Sequence, residues 1–287
     1  MKILITGAEG QLGREWMHEV SGGKNEAVGF GSGEMDITDR DLVRKTLDRI
    51  KPDFLINCAA YTDVDGAEEH SEAAFQVNEQ GVANLAEECA ERKCRMVHFS
   101  TDYVFPGRSE DRGRYPDGYP EDAPVEPANT YGASKLAGEK KLADSGVSFL
   151  LIRTSWLCGR YGKNFVSTML RLGREREKLS VVNDQFGSPS FAKHVVRNTL
   201  NLIEREMTGV FHSTSGGLIS WYRFAEVIFK ISGLDVQVHP ISTGEYPTKA
   251  RRPAFSKLST KKLDPIPGSH IVDWEQGLRE MLEVRGA

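Results

Sequence analysis

The chain has 287 residues with 37 Lys+Arg against 41 Asp+Glu, a net charge of −4, and it is 39% hydrophobic and 27% charged. That is the composition of an ordinary globular protein of one large or two small domains, without the basic surplus expected of a nucleic-acid-binding chain. Its apolar runs, such as Phe149 to Ile152, fall far short of the roughly 20 residues that span a bilayer, so neither a membrane nor a nucleic acid is expected as partner.

The chain opens on Ile3-Leu4-Ile5 and reaches Gly7 too early for the apolar region of a signal peptide, so a cytoplasmic location is expected. Directly behind this strand stands Gly7-Ala8-Glu9-Gly10-Gln11-Leu12-Gly13, followed by a helical pattern to Val20. Glycines at a strand-to-helix turn let the backbone approach a pyrophosphate, whose charge the helix N-terminus favours. The turn from Gly7 through Gly10, Gln11, Leu12 and Gly13 is therefore the candidate dinucleotide cradle. The next strand, Glu26–Phe30, ends in Phe30-Gly31-Ser32-Gly33 where an acidic residue would hold the ribose of NAD. Loss of that carboxylate removes repulsion against a 2′-phosphate, which favours NADPH and still admits NADH. Asp36 and Ile37 follow as adenine contacts, with a helix N-cap as the other reading of Asp36.

Phe54-Leu55-Ile56 and Met96–Phe99 read as further strands, with a helical stretch from Ala73 to Arg92 between them. Short apolar runs that do not alternate are strands covered on both faces, and the helices between them supply the crossovers of a parallel sheet. Beyond the third strand come Ala59, Ala60 and Tyr61, small enough at the alanines to leave room for a cofactor, then Thr62 and Val64 beside the substrate. Beyond the fourth stands Thr101, placed to offer a hydroxyl to a substrate carbonyl. Pro106 to Asn129 is rich in Pro, Gly and Asp and reads as a long surface loop.

Tyr131-Gly132-Ala133-Ser134-Lys135 then begins a helix, and the i, i+4 spacing puts phenol and ammonium on one face. A lysine charge favours the phenolate and is expected to lower the tyrosine's pKa toward neutrality, while the same lysine reaches ribose hydroxyls. The strand Phe149–Ile152 closes the regular βα pattern; helical candidates follow at 164–175, 191–207, 221–231 and 274–284. The expected division is a nucleotide-binding domain over 1–152, with parts of 184–213 folding back onto it, and a smaller lobe over 153–287. Cys58, Cys89, Cys94 and Cys158 show no C-x-x-C pairing, and the seven histidines have no ligand spacing, so no dedicated zinc site is expected.

With these segments assembled, the sequence resembles the extended short-chain dehydrogenase/reductases, and within them the dTDP-4-dehydrorhamnose reductase family. The superfamily likeness rests on the glycine turn, Asn57-Cys58-Ala59-Ala60-Tyr61-Thr62-Asp63-Val64-Asp65 and Tyr131-x-x-x-Lys135. The family likeness rests on Ser100-Thr101-Asp102-Tyr103-Val104-Phe105-Pro106-Gly107, Arg153-Thr154-Ser155-Trp156 and Asp184-Gln185-Phe186-Gly187-Ser188-Pro189. The resemblance implies an α/β, Rossmann-like doubly wound parallel sheet with a smaller C-terminal substrate-binding lobe. It implies Thr101, Tyr131 and Lys135 as the catalytic set, and Tyr103, Trp156 and Asn164 around a dTDP-sugar. Arg252 is a candidate diphosphate partner, because a guanidinium matches phosphate oxygens bidentately, with a purely structural role equally open.

The implied reaction is hydride transfer from NAD(P)H to C4 of a 4-keto-6-deoxy sugar, by a monomer or homodimer. Some members of the family share a metal between subunits through carboxylates. Glu15 is present, but Lys193 stands where an acidic partner is expected, which puts that metal in doubt. A dehydratase of the superfamily needs a glutamate after the Thr-Asp pair, where this chain has Tyr103. An epimerase, which recycles bound NAD, and a non-catalytic cofactor-binding subunit remain as other classes.

Overall fold

The computed structural model describes residues 1–21 and 25–286, with side chains through 283. The first half runs β1 (Lys2–Thr6), α1 (Gln11–Val20), β2 (Glu26–Phe30), α2 (Arg40–Ile50), β3 (Phe54–Asn57), α3 (Val82–Glu91), β4 (Arg95–Thr101), α4 (Thr130–Asp144) and β5 (Phe149–Thr154). The second half contributes α5 (Phe165–Glu175), β6 (Lys178–Val182), α6 (Ala192–Glu204), β7 (Gly209–His212), α7 (Trp221–Ile231), β8 (Gln237–Ile241) and α8 (Trp274–Gly286).

Six of the strands form one sheet in the order β7-β5-β4-β3-β1-β2, every pair parallel. The apolar strand runs explain its two covered faces, because successive side chains point to opposite sides. Ile3, Ile5, Ile56, Val97 and Ile152 pack under Trp16 of α1 and Val195 of α6. Leu4, Leu55, Met96 and Leu151 face Val43 and Leu47 of α2 and Leu85 of α3. The direction of winding reverses between β1 and β3, and ligands of doubly wound sheets bind at the C-terminal strand ends beside such a switch point.

The chain's second half is shared between two layers. β7 pairs with β5, from Gly209 opposite Leu150 to His212 opposite Arg153, and so covers what would otherwise be an open edge. The remaining elements make the lobe, where Val166 and Leu170 of α5, Leu179 and Val181 of β6, and Phe224 and Ile228 of α7 share a core. β6 pairs in parallel with β8 there.

The stretch 106–129 differs from a plain surface loop. Tyr119 is buried, stacked on Phe105 at 4.5 Å between ring centroids, and its hydroxyl donates to the equally buried Asp111. Phe255 and Leu258 complete this satellite core, so the segment is pinned to the lobe by aromatic residues too irregularly spaced to signal an element. Among the described residues no helix is long and apolar enough to cross a membrane.

Candidate active site

Gly7 takes a positive φ of 64°, and a Cβ there would lie 2.6 Å from the Ala59 backbone nitrogen, so only glycine fits between the β1 and β3 ends. At Gly13 a Cβ would stand 2.2 Å from the Gly7 carbonyl oxygen, which sets how closely α1 approaches the turn. Gly10, exposed, is the N-cap of α1; no side chain caps this end and the first turn holds no acidic residue. The N–H groups there remain available to an anion, so the turn fits a dinucleotide's pyrophosphate. Leu12 is buried in the core and serves the turn by anchoring the helix.

Gln11 and Asn164 meet each other. Asn164 Nδ2 donates to Gln11 Oε1 at 2.7 Å and to the Gly159 carbonyl at 2.8 Å, while its Oδ1 caps α5 by accepting from Ser167 N–H at 2.9 Å. Gln11 Nε2 donates in turn to the Leu157 carbonyl. Both side chains therefore join the glycine turn to the lobe, and Asn164 has no donor left for a substrate.

At the end of β2, the Asp36 carboxylate accepts from Thr38 N–H and Oγ1, and Asp39, rather than Asp36, caps α2 through Leu42 N–H. Ile37 is buried in the core, and its carbonyl accepts from Asn84 Nδ2 at 3.0 Å. The exposed Glu9 carboxyl lies against Gly31, within 2.6 Å of where a Cβ would be. The sequence pattern misses this carboxylate, because it comes from the glycine turn and not from β2.

Ala59, Ala60 and Tyr61 are half-buried beyond β3, with Thr62 exposed and Val64 half-buried after them. Their backbone is held by Asn78, which sequence reasoning passes over. Its side chain accepts from Tyr61 N–H at 2.9 Å and donates to the Tyr61 carbonyl at 3.0 Å and to Ser134 Oγ at 2.9 Å. Asn78 sits in a π-helical turn, Gln76–Gly81, just before α3. The only sequence signal is the glycine facing it: a Cβ at Gly138 would stand 2.0 Å from the Asn78 carbonyl. The π turn thus locks the β3 loop to α4.

Thr101, Tyr131 and Lys135 come together where β4 and α4 meet. Asn129 caps α4 by accepting from Gly132 N–H at 2.8 Å, which places Tyr131 in the first turn. The Thr101 hydroxyl donates to Asp102 Oδ1 at 3.0 Å and accepts from Tyr103 N–H at 3.2 Å. Asp102 is buried, and desolvation lifts its carboxyl to about 7 against lowering hydrogen bonds from Thr101 and Ser256.

The expected lowering of the Tyr131 phenol is not what the structure gives. Burial, and then the charge of Asp102, push it upward, with only the hydrogen bond from Thr101 acting the other way. The reason is the direction of Lys135: its Nζ donates to the Phe99 carbonyl at 2.7 Å and lies 3.3 Å from His98 Nε2. Burial lowers Lys135 itself to about 8, opposed by the Glu139 carboxylate. Tyr131 in this arrangement is a proton donor, not a phenolate.

His98 is a second residue that the sequence does not flag. The Thr6 hydroxyl and Ala59 N–H both donate to Asn57 Oδ1, at 2.7 and 3.1 Å, so the Asn57 amide nitrogen faces His98 Nδ1 at 3.0 Å. Nδ1 accepts, and the neutral ring carries its hydrogen on Nε2, toward Lys135. Burial and the Lys135 charge both hold His98 in the neutral form. This buried chain from β1 through β3 and β4 to α4 fixes the lysine's position.

Tyr103 and Arg252 line an open cleft of about 920 Å³ between the sheet and the lobe, together with Asp65, Phe165 and Trp221, while Trp156 stands behind Trp221 and outside that lining. Tyr103 meets Tyr131 edge-on at 5.6 Å between centroids. Trp156 has a left-handed φ of 48°, stacks on Trp221 at 3.4 Å and donates from Nε1 to Ser256 Oγ. Gly187 lies under its indole, where a Cβ would be 2.7 Å from the ring, which accounts for glycine in the Asp184–Pro189 segment. Arg252 donates to Asp65 Oδ2 at 2.5 Å and to the Tyr103 hydroxyl at 3.2 Å, while Ala250 N–H donates to Asp65 Oδ1. Its guanidinium thus waits at the cleft mouth, neutralised by Asp65. Arg153, by contrast, makes a buried two-pronged ion pair with Glu139, at 3.0 and 2.7 Å, and ties β5 to α4.

The shared carboxylate metal does not fit these residues. Arg160 takes both oxygens of Glu15, at 3.2 and 2.7 Å, and Lys193 supplies a cation where a ligand is required.

Comparison with known proteins places this geometry. The family model described as the RmlD substrate binding domain matches residues 1–286. The dTDP-4-dehydrorhamnose reductase of Aggregatibacter actinomycetemcomitans is 38% identical over 293 aligned positions, covering 98% of each chain. A dTDP-4-keto-6-deoxy-D-glucose reductase of Streptomyces niveus is 39% identical over 260, covering 89% of this chain and 87% of its own. The crystal structure of Bacillus anthracis dTDP-4-dehydrorhamnose reductase in complex with NADP superposes with a TM-score of 0.94 at 38% identity, covering 99% of both chains.

Proposed function

The chain belongs to the RmlD family, and from that premise we propose that it reduces the C4 carbonyl of dTDP-4-dehydro-L-rhamnose to give dTDP-L-rhamnose, with NADPH as the preferred cofactor. The observation that carries the reading is the seam of β4 and α4, where Thr101, a protonated Tyr131 and a positioned Lys135 converge beside the glycine turn. When bound at that turn, NADPH supplies the hydride. The chain's own residues handle the charge that the reduction creates on the C4 oxygen. Thr101 turns its hydroxyl hydrogen from Asp102 to that oxygen as negative charge grows, and Tyr131 delivers the proton that completes the alcohol. Lys135, buried beneath them, turns from the Phe99 carbonyl to ribose hydroxyls and stabilises the tyrosinate left behind.

Residues 1–152 with α6 and β7 form the nucleotide-binding unit in this reading, and the rest of the second half forms the sugar-nucleotide lobe. Tyr103, Val64 and Trp156 border the sugar, and Arg252 exchanges Asp65 for the diphosphate. The four free cysteines suit a reducing cytoplasm. A dehydratase is disfavoured because Tyr103, held by Arg252, occupies the place of the required glutamate.

The test is a coupled assay following NADPH and NADH oxidation against dTDP-4-dehydro-L-rhamnose, dTDP-4-keto-6-deoxy-D-glucose and their UDP and GDP counterparts. Consumption of NADPH with the first sugar, ahead of the others, is the expected result. Preference for the second sugar makes the chain a reductase like that of S. niveus. Cofactor binding without oxidation leaves a non-catalytic subunit.

A further inference from the structure

Outside the active site, the fold brings together two histidines and a glutamate that the sequence keeps far apart. His194 lies on α6, His270 in the segment entering α8, and Glu280 on α8, and one ligand atom of each lies within 4.8 Å of the other two. His194 Nε2 and Glu280 Oε2 are 2.8 Å apart, and the two imidazoles meet edge-on at 4.5 Å between centroids.

His270 is the informative member of the three. His270 Nε2 is shielded from solvent and has no hydrogen-bond partner, an exception to the rule that buried polar atoms are paired, for which an unseen ion is one standard cause. His270 is not there by accident of a loose loop. Its N–H donates to Asn198 Oδ1 at 2.7 Å and Asn198 Nδ2 donates back to its carbonyl at 3.2 Å, so α6, one turn beyond His194, holds the second histidine in place. Gln276 Nε2 donates to the other oxygen of Glu280 at 3.0 Å and orients it. Two imidazoles and one carboxylate, each anchored by a neighbour, make an N₂O donor set suited to Zn²⁺, with a fourth position for water. Tetrahedral bonds of about 2.0–2.1 Å require ligand atoms about 3.3 Å apart, a spacing reached by side-chain adjustment from the present arrangement.

We propose that His194, His270 and Glu280 form a Zn²⁺ site that staples α8 and the segment before it to α6. It is distinct from the carboxylate site excluded above, since Glu15 is bound to Arg160. With three protein ligands, and with the Lys193 ammonium beside His194, its affinity is below that of closed four-ligand sites.

The experiment uses the untagged full chain after chelator treatment, titrated with ZnCl₂ by calorimetry and with CoCl₂ by visible absorption. One ion per chain, intense tetrahedral Co²⁺ bands and a thermal midpoint raised by Zn²⁺ are expected. His270→Ala, at a half-buried segment position, and Glu280→Gln remove one ligand each. Either change costs more than the roughly 10–100-fold in affinity lost with an outer-shell partner, and abolishes the Zn²⁺-dependent rise in midpoint while the metal-free midpoint changes little. No binding by the parent chain overturns the proposal. So does binding that both variants retain at parental affinity, because the metal then sits on other histidines.

Discussion

The floor that lies beneath the cleft, behind Tyr103, and the cleft's own mouth are built on different principles. The floor, Thr101, Tyr131 and Lys135, stands on two elements of one rigid layer, and its polar groups are tied through Asn57, His98 and Asn78 into the sheet and the π turn. The mouth is made by contacts that span most of the chain, as when Arg252 reaches Asp65 and Tyr103. Groups that act on a developing charge need fixed positions, whereas groups that admit a charged ligand need partners they can give up. Changes on the floor should therefore act on turnover and folding, and changes at the mouth on KM.

Tyr131→Phe gives the largest expected effect. It removes the proposed proton donor and leaves the ring against Tyr103, so kcat should fall about 100- to 10,000-fold while the cofactor's dissociation constant holds. Steady-state kinetics beside cofactor titration read both. An unchanged kcat would make the seam a packing feature.

Next in size is the cost of the buried acid on the floor. The Asp102 carboxyl, lifted to about 7 mainly by burial, is compared with an ordinary value of 3.8. A carboxyl raised in the folded state contributes stability that is complete below the unfolded pKa and is lost as pH rises through the folded one. The parent should lose stability between about pH 4 and 7, by on the order of 4 kcal/mol, relative to Asp102→Asn. Urea midpoints across that range test it, and parallel curves would remove the strained acid from the comparison.

At the mouth, Arg252→Ala removes a charged hydrogen-bond partner that is worth about 1.5–3 kcal/mol to a diphosphate, so KM should rise about 10- to 100-fold at nearly constant kcat. Asp65→Asn should act in the opposite direction. It keeps the oxygen that accepts from Ala250 N–H but frees the guanidinium, so KM should fall about two- to fivefold. A kcat effect as large as the KM effect in either variant would erase the distinction between floor and mouth.

What the sequence discloses divides along the same line. The glycine turn, the strand runs and the Tyr131–Lys135 spacing are local patterns, and local patterns are legible: each element expected in chain order is present, down to the short apolar strands under two layers of helix. His98 and Asn78 look like ordinary residues of a strand and a helix, and only the sheet order and the π turn direct them toward Lys135 and Tyr61. Asn164 illustrates the opposite error. A polar residue in a family-like segment suggests a substrate contact, but an asparagine at a helix start is equally a cap, and here capping and Gln11 use its side chain fully. Spacing alone suggests that Lys135 lowers the tyrosine's pKa, but spacing carries no information on where Nζ finds its acceptor.

Glu9 gives the smallest effect and the finest division of the cofactor site. The absence of an acid at the end of β2 favours NADPH, yet the Glu9 carboxyl lies over Gly31 and returns a negative charge to the same place from the glycine turn. Because Glu9 is exposed, its charge acts through water, where two unit charges 4 Å apart interact by about 1 kcal/mol. Glu9→Gln should therefore raise the ratio of kcat/KM for NADPH over NADH about fivefold, chiefly through the NADPH value, since only the 2′-phosphate carries the charge that feels it. The gain should shrink in high salt, as a contact in solvent requires. A ratio that does not move would leave the preference to Gly31-Ser32-Gly33 alone, and one that moves equally at every salt concentration would mean that Glu9 acts on the shape of the turn and not by its charge.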